Sequence, residues 1–240
     1  MSDLIIPDSR FEMPSLFYPG RKPVGNVKIN WSHPLTKGLV GCWIFQMNGS
    51  QISPISLNSE SSITPNGLHC PSSGNEVTNG AVVGQDGDAT DIVGDFSIVS
   101  KVRPTVPYTG DDYRAIISRR SAAGYQLHFR LKDAGVVSLL TSGGSVDAVE
   151  TVPSGEWHEI SVTSNPSGRD FYINKASESA LFKSISHVSS ATIIGSTEIT
   201  NSYNLAFGGD ISYVFLFNRK IGAVENSRLH ASPYQFLIPA

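Results

Sequence analysis

The residues best suited to chemistry are acidic and share one short stretch, Gln85-Asp86-Gly87-Asp88-Ala89-Thr90-Asp91, with Asp95 just beyond. Carboxylates at i, i+2 and i+5 in a glycine-bearing loop offer hard oxygen ligands, and calcium accepts irregular oxygen shells. Asp86, Asp88 and Asp91 are therefore the calcium candidates. The spacing follows an EF-hand loop only at its start, because no Glu stands at the twelfth position. Carboxylates on a polar turn are more often simply solvated, and Asp111-Asp112 is a weaker case of the same kind. The expectation is no cofactor, with calcium the one ion the sequence allows.

Cleaving a glycosidic bond needs two carboxylates flanking it, which on a sheet means acids alternating along one strand. Glu156 and Glu159 are three residues apart and point to opposite faces, and Glu150 stands alone. For nucleophilic chemistry no Gly-x-Ser-x-Gly elbow occurs; Ser142-Gly143-Gly144-Ser145 reads as a hairpin tip. The six histidines (His33, His69, His128, His158, His187, His230) show neither i,i+4 spacing nor a neighbouring cysteine pair of zinc type. The expectation is a protein without enzymatic activity.

Sugar rings stack on exposed aromatic side chains. Trp31, Tyr108, Tyr113 and Tyr203 fall in predicted loops and are the candidates for glycan contact. The competing reading has them closing the ends of a sandwich or packing an arm. Arg119, Arg120, Arg130 and Lys132 form a small basic set, read as a solvated sheet face or an inter-subunit contact.

The scaffold for these side chains is legible in composition. Across 240 residues only 16% are charged, 40% are apolar, and Gly alone numbers 22. Many short strands joined by polar turns have this profile; helix bundles do not. A net charge of −3 gives no electrostatic basis for binding nucleic acid or an anionic membrane. No apolar run nears the roughly 20 residues that span a bilayer. The start of the chain, MSDLIIPDSRFEMP, shows no secretory signal. Cys42 and Cys70 are too few for a disulfide framework and read as buried thiols, although a bridge between them stays open.

Gly155 to Lys175 reads as a hairpin. Trp157, Glu159 and Ser161 alternate with His158, Ile160 and Val162, Asn165-Pro166-Ser167-Gly168 supplies a turn, and Phe171-Tyr172-Ile173 returns. Trp157 and the Phe-Tyr-Ile run are expected to anchor the core. Further strands are predicted at Leu39–Phe45, Phe96–Val102, Ala115–Arg119, Tyr125–Leu131, Val136–Leu140 and Val146–Val152, with shorter candidates including Ala191–Gly195 and Leu205–Phe207. In the fourth of these, Tyr125, Leu127, Phe129 and Leu131 should face one way and Gln126, His128, Arg130 and Lys132 the other. The continuous apolar run Ile211–Phe217 predicts a strand buried on both faces. A short helix follows between Gly222 and Ala231, stopped by Ser232-Pro233.

The hairpin opening with Trp157, the Gly38-Leu39-Val40-x-x-Trp43 strand with its Pro-rich lead-in, and the Gly-Asp-Ile strand, Asn218-Arg219 turn, Glu225-bearing helix and Pro233-Tyr234-Gln235-Phe236 close together resemble one family. It is the concanavalin A-like, laminin-G-type jelly rolls, in particular phage-encoded ones. The resemblance covers roughly Pro34 to Phe236 and implies an all-β, two-sheet antiparallel jelly roll with one short C-terminal helix. The hairpin departs from the family pattern at Asn174-Lys175, where the pattern has Asn-Gly.

Residues 1–33 form a Pro-rich N-terminal arm before a jelly-roll domain at 34–240. Leu4, Ile5, Ile6, Phe11, Leu16, Phe17 and Tyr18 are more apolar than a solvated tail carries. Such an arm binds a neighbouring subunit or folds back on its own domain. With the resemblance, the reading is a bacteriophage virion structural protein, a head decoration or exterior component. Its partners are the major capsid protein or neighbouring copies, it is a homo-oligomer on the particle, and it is made in the host cytoplasm and located in the virion. The alternative is a lectin-like module for a host glycan.

Overall fold

Alternation of apolar and polar side chains organises the structure. Leu127, Phe129 and Leu131 turn to one side of their strand, and Phe96, Ile98 and Val102 of another strand join them in the same core. Two sheets close over these apolar sides. The computed structural model describes residues 27–45, 55–71, 79–108, 113–121, 124–174, 176–197 and 206–240.

One sheet runs in spatial order β11 (Gly144–Thr151), β10 (Val136–Thr141), β9 (Gly124–Lys132), β8 (Tyr113–Ser121), β15 (Thr192–Ile194), β6 (Ala81–Gly84) and β3 (Ser56–Leu57). The other, of eight strands, runs β14 (Ala176–Ala180), β13 (Gly168–Ile173), β12 (His158–Asn165), β7 (Phe96–Pro104), β16 (Gly209–Phe217), β5 (Gly67–Cys70) and β4 (Ser62–Thr64), with β2 (Leu39–Ile44) also paired to β16. The sandwich is antiparallel, as the reading required.

A second core lies outside the eight-stranded sheet. Val99, Tyr213, Phe215 and Phe217 emerge on that outer face and meet Leu35, Leu229 and Phe236. Three segments cover them: a 3₁₀ turn (Pro34–Thr36), the helix α1 (Ala223–Ala231), and a ribbon of β1 (Val27–Ile29) with β17 (Leu237–Pro239). All nine residues of β16 are consequently buried, as its unbroken apolar run implies.

The helix is fixed at both ends. Glu225 accepts the Gly222 N–H at 3.0 Å and is gripped by Arg219 at 2.9 and 2.6 Å, which suits an acid in a first helical turn. At the far end the Ser232 N–H donates to Arg228 O at 2.9 Å.

Three expectations change. Trp157 precedes β12 and leaves the core to Trp43, its ring lying 5.1 Å from the Arg103 guanidinium. Residues 206 and 207 of the predicted Leu205–Phe207 strand are coil, with Phe207 inserted into the main core. Tyr125 stacks on His128, its ring centroid 5.8 Å away, because register slips at Arg119/Arg120 and turns it to the polar face. After β13 no glycine is needed: Asn174 itself adopts φ 53°, which asparagine tolerates. Cys42 and Cys70 are free and lie in different cores, so they do not pair. Strands β1, β4, β14 and β17 were not expected.

Candidate functional site

Leu4, Ile5, Ile6, Phe11, Leu16, Phe17, Tyr18, Tyr203 and Asp111-Asp112 lie outside the described residues. The rest of the candidates can be placed.

The acidic loop after β6 folds around Asp88, whose carboxylate accepts the N–H groups of Gln85 at 2.6 Å and Thr90 at 2.7 Å. Asp88 is thereby a loop staple. Asp86 and Asp91 turn the other way and meet His187, their ligand atoms all within 4.8 Å of one another. Arg119, from the end of β8, stands between them: its Nη2 is 3.1 Å from Asp86 and 3.5 Å from Asp91. Its other nitrogens donate to Gln126 Oε1 at 3.1 Å and Thr192 Oγ1 at 2.9 Å. Two carboxylates and one imidazole are not the oxygen-rich shell calcium takes, and the guanidinium already supplies the positive charge. The geometry thus assigns Asp86 and Asp91 to Arg119 and separates Asp88 from them.

The same geometry bears on hydrolysis. The Ser189 hydroxyl, with His187 and Arg119, holds the Asp86 carboxyl below its ordinary range. Burial works against ionisation of Asp91, but hydrogen bonds from Gln126 and His187 outweigh it. Both are ionised at neutral pH, so neither can be the proton donor that glycoside cleavage requires.

Of the aromatics, Trp31 is 66% exposed. Tyr108 donates its hydroxyl to Val152 O at 2.8 Å, carries the Arg114 guanidinium 4.4 Å from its ring, and lines an open pocket of about 340 Å³ with Pro107, Asp133, Ala134 and Ser154. Tyr113 lies beneath Arg130 at 4.4 Å, and Arg120 lies 4.3 Å over Tyr125. Arg120 and Arg130 of the expected solvated basic face are therefore drawn into a layer of guanidinium groups over tyrosine rings. His128 is fully buried within it, its pKa pushed well below normal by burial and then by Arg130 and Arg120.

A site that sequence reasoning missed lies beneath α1. A pocket of about 370 Å³ opens between the helix and β12–β13, lined by Glu159, Tyr172, Asn174, Asn226, Ser227 and His230 among others. At its floor Ser161 Oγ donates to Asn226 Oδ1 at 2.7 Å and sits 3.1 Å from His230 Nε2, while His230 Nδ1 lies 3.8 Å from Glu159 Oε2. This Ser-His-Glu order is no nucleophilic triad. Ser161 is fully buried and already donates its one proton to Asn226. The only sequence signals were Glu159 and Ser161 two apart on a strand and Asn226 and His230 four apart on a helix, patterns common to any packed surface.

A family model described as the concanavalin A-like lectin/glucanases superfamily matches residues 75–225, more than half of the chain. The chain belongs to the concanavalin A-like lectin/glucanase superfamily. Solved structures agree on the fold of this concanavalin A-like sandwich. Trypanosoma rangeli sialidase in complex with sialic acid aligns at TM-score 0.61 and 15% identity, over 83% of this chain and 33% of that one. Domain 4 of AbnA, a GH43 extracellular arabinanase from Geobacillus stearothermophilus in complex with arabinotriose, aligns at 0.52 and 13%, over 80% and 98%. Botulinum neurotoxin type C, in a structure concerned with cell entry through two ganglioside molecules, aligns at 0.58 and 12%, over 83% and 52%. The chain spans about a third of the length of the sialidase it matches. No curated protein matches it. A concanavalin A-like fold serves enzymes and binding proteins alike, so function has to be argued from the residues.

Proposed function

We propose that this chain is a non-enzymatic structural protein of a bacteriophage particle, a decoration component of the head exterior held by its N-terminal arm. The observation that carries the reading is the clasp between Val27–Ile29 and Leu237–Pro239. It places Val27 on the outer layer of the sandwich, and the sequence before it carries Leu4, Ile5, Ile6, Phe11, Leu16, Phe17 and Tyr18. In this reading the large hydrophobes of that segment grip a neighbouring subunit, burying apolar surface against it. The partners in this reading are the major capsid protein and neighbouring copies, and the place is the virion.

The test is co-sedimentation with heads of the encoding phage assembled without this protein. The full chain should pellet with heads and a chain lacking residues 1–26 should not. Failure of the full chain to pellet rejects head decoration.

A second reading is carbohydrate recognition. Its specific support is the open pocket lined by both Tyr108 and Asp133, an aromatic side chain and a carboxylate acceptor in one concavity. Loss of glycan-array binding in Tyr108→Ala is the expected result; an unchanged array removes Tyr108 from this role.

A further inference from the structure

One buried carboxylate holds two side chains on the outer face of the eight-stranded sheet. Leu68, Val102 and Ile211 point into the main core, so their neighbours His69, Arg103 and Asp210 face outward. Asp210 is 4% exposed, and its Oδ1 lies 2.9 Å from His69 Nδ1. Its Oδ2 accepts from Arg103, Nε at 3.1 Å and Nη2 at 2.5 Å. Register explains the grouping: Ser62, His69, Asp210 and Arg103 are successive partners across β4, β5, β16 and β7. The Trp157 ring, 5.1 Å away, backs the guanidinium.

Arg103 already meets the charge of Asp210, so His69 serves as a neutral donor. That places the ring proton on Nδ1 and leaves Nε2 unprotonated on a side chain 38% exposed. No other histidine is set this way. His33 Nδ1 accepts the Leu35 N–H at 3.2 Å, so its outer nitrogen carries the proton. Both nitrogens of His187 face carboxylates, Asp91 at 2.8 Å and Asp86 at 3.6 Å. His128, His158 and His230 are buried. An imidazole oriented by a carboxylate, with a lone pair in solvent, is a nucleophile. The guanidinium on the same carboxylate disfavours a metal cation and suits an anion. The exposed Ser62 hydroxyl, across from His69 on β4, is a further donor for an oxyanion. We propose that His69 is a modification site that accepts a phosphoryl group on Nε2 from a phosphoramidate or an acyl phosphate. The Nε2 lone pair forms the N–P bond as the bond from phosphorus to the leaving group breaks. Ammonia departs from a phosphoramidate and a carboxylate from an acyl phosphate, while the Nδ1 proton stays on the ring, hydrogen-bonded to Asp210.

The test incubates the folded full chain with potassium phosphoramidate at neutral pH. Phosphohistidine is mapped by mass spectrometry of peptides kept alkaline, and phosphorus NMR identifies the substituted nitrogen. His69 should react on Nε2 about tenfold or more faster than His33 or His187. Asp210→Asn, which keeps the shape and removes the charge, should bring His69 down to the rate of His33. Ser62→Ala, at an exposed edge position, should slow His69 several-fold at an unchanged melting temperature. Reaction of His69 no faster than that of His33 in the unmutated chain, or substitution on Nδ1, overturns the proposal, and neither result depends on a variant folding.

Discussion

Arg119 and Asp91 come from segments 28 residues apart in number, yet their charged groups lie 3.5 Å from one another with the arginine almost fully buried. The pair ties the acidic loop to the end of β8, and Gln126 bridges it by accepting from Arg119 and donating to Asp91. Breaking a buried charge pair on one side leaves the other uncompensated. Arg119→Met should therefore cost on the order of 3 kcal/mol, read as a lower urea midpoint at unchanged slope. A loss below about 0.5 kcal/mol, the size of an ordinary surface substitution, would contradict the buried tie.

Acid should destabilise the fold earlier than carboxylate titration alone predicts. Burial, and then Lys101, pushes the His230 imidazole down to about 4 from an ordinary 6.5, despite Glu159 beside it. Between those values the unfolded chain binds a proton the folded chain refuses, so stability falls as pH drops from 6.5 to 4, by about 3 kcal/mol at most for this residue. His128 acts in the same direction. The depressed carboxyls of Asp86 and Asp91 add their loss only at lower pH, as protons reach the folded carboxyls. A melting temperature flat from pH 6.5 to 4.5 would sink this assignment.

Tyr213 is fully buried on β16, and its hydroxyl has no hydrogen-bond partner. Its ring stacks on Phe215 with centroids 4.8 Å apart and meets Tyr234 edge-on. Tyr213→Phe keeps the stack and removes the orphaned hydroxyl, so a gain of about 1 kcal/mol is expected in chemical denaturation. A comparable loss would mean that the hydroxyl is satisfied.

On β2, the Trp43 ring lies across Gly41, where an added Cβ would stand 2.0 Å from the indole. Gly41→Ala must push the ring out of the main core. We expect a loss of about 1–3 kcal/mol and a red shift of tryptophan emission. Unchanged emission would show that the ring had not moved.

Burial raises both thiols, Cys70 to about 12 and Cys42 higher still. Neither should react with a disulfide reagent in the folded protein, and two equivalents should react after denaturation. Prompt native labelling of either would place it at the surface.

Where one face of a strand meets the core, the alternation was enough to read the fold: β7, β9, β10 and β12 were all visible in the sequence. The reading failed where a second layer intervened. Val27–Ile29 and Leu237–Pro239 are three-residue strands whose pairing joins the two ends of the described chain, and no local pattern announces a partner that far away. Trp157 looked like a core anchor because its type outweighs its position one residue outside β12. The acidic loop was correctly singled out, but the partner of Asp86 and Asp91 is an arginine from another strand, which loop spacing cannot show. The pocket beneath α1 is assembled from β12, β13 and the helix, and so depends on packing that only the folded chain supplies.

The clasp of β1 on β17 has a mechanical consequence. The two strands run antiparallel, with Val27 opposite Pro239, so tension applied across those two residues loads the rungs one after another rather than together. A three-rung ribbon loaded in that way opens like a zipper at low force. The β7–β16 pairing beneath it runs from Gly209 opposite Pro104 to Phe217 opposite Ser97 and is far longer. Under load applied at Val27 and Pro239, the outer layer is where the molecule yields, and the inner sandwich stays closed.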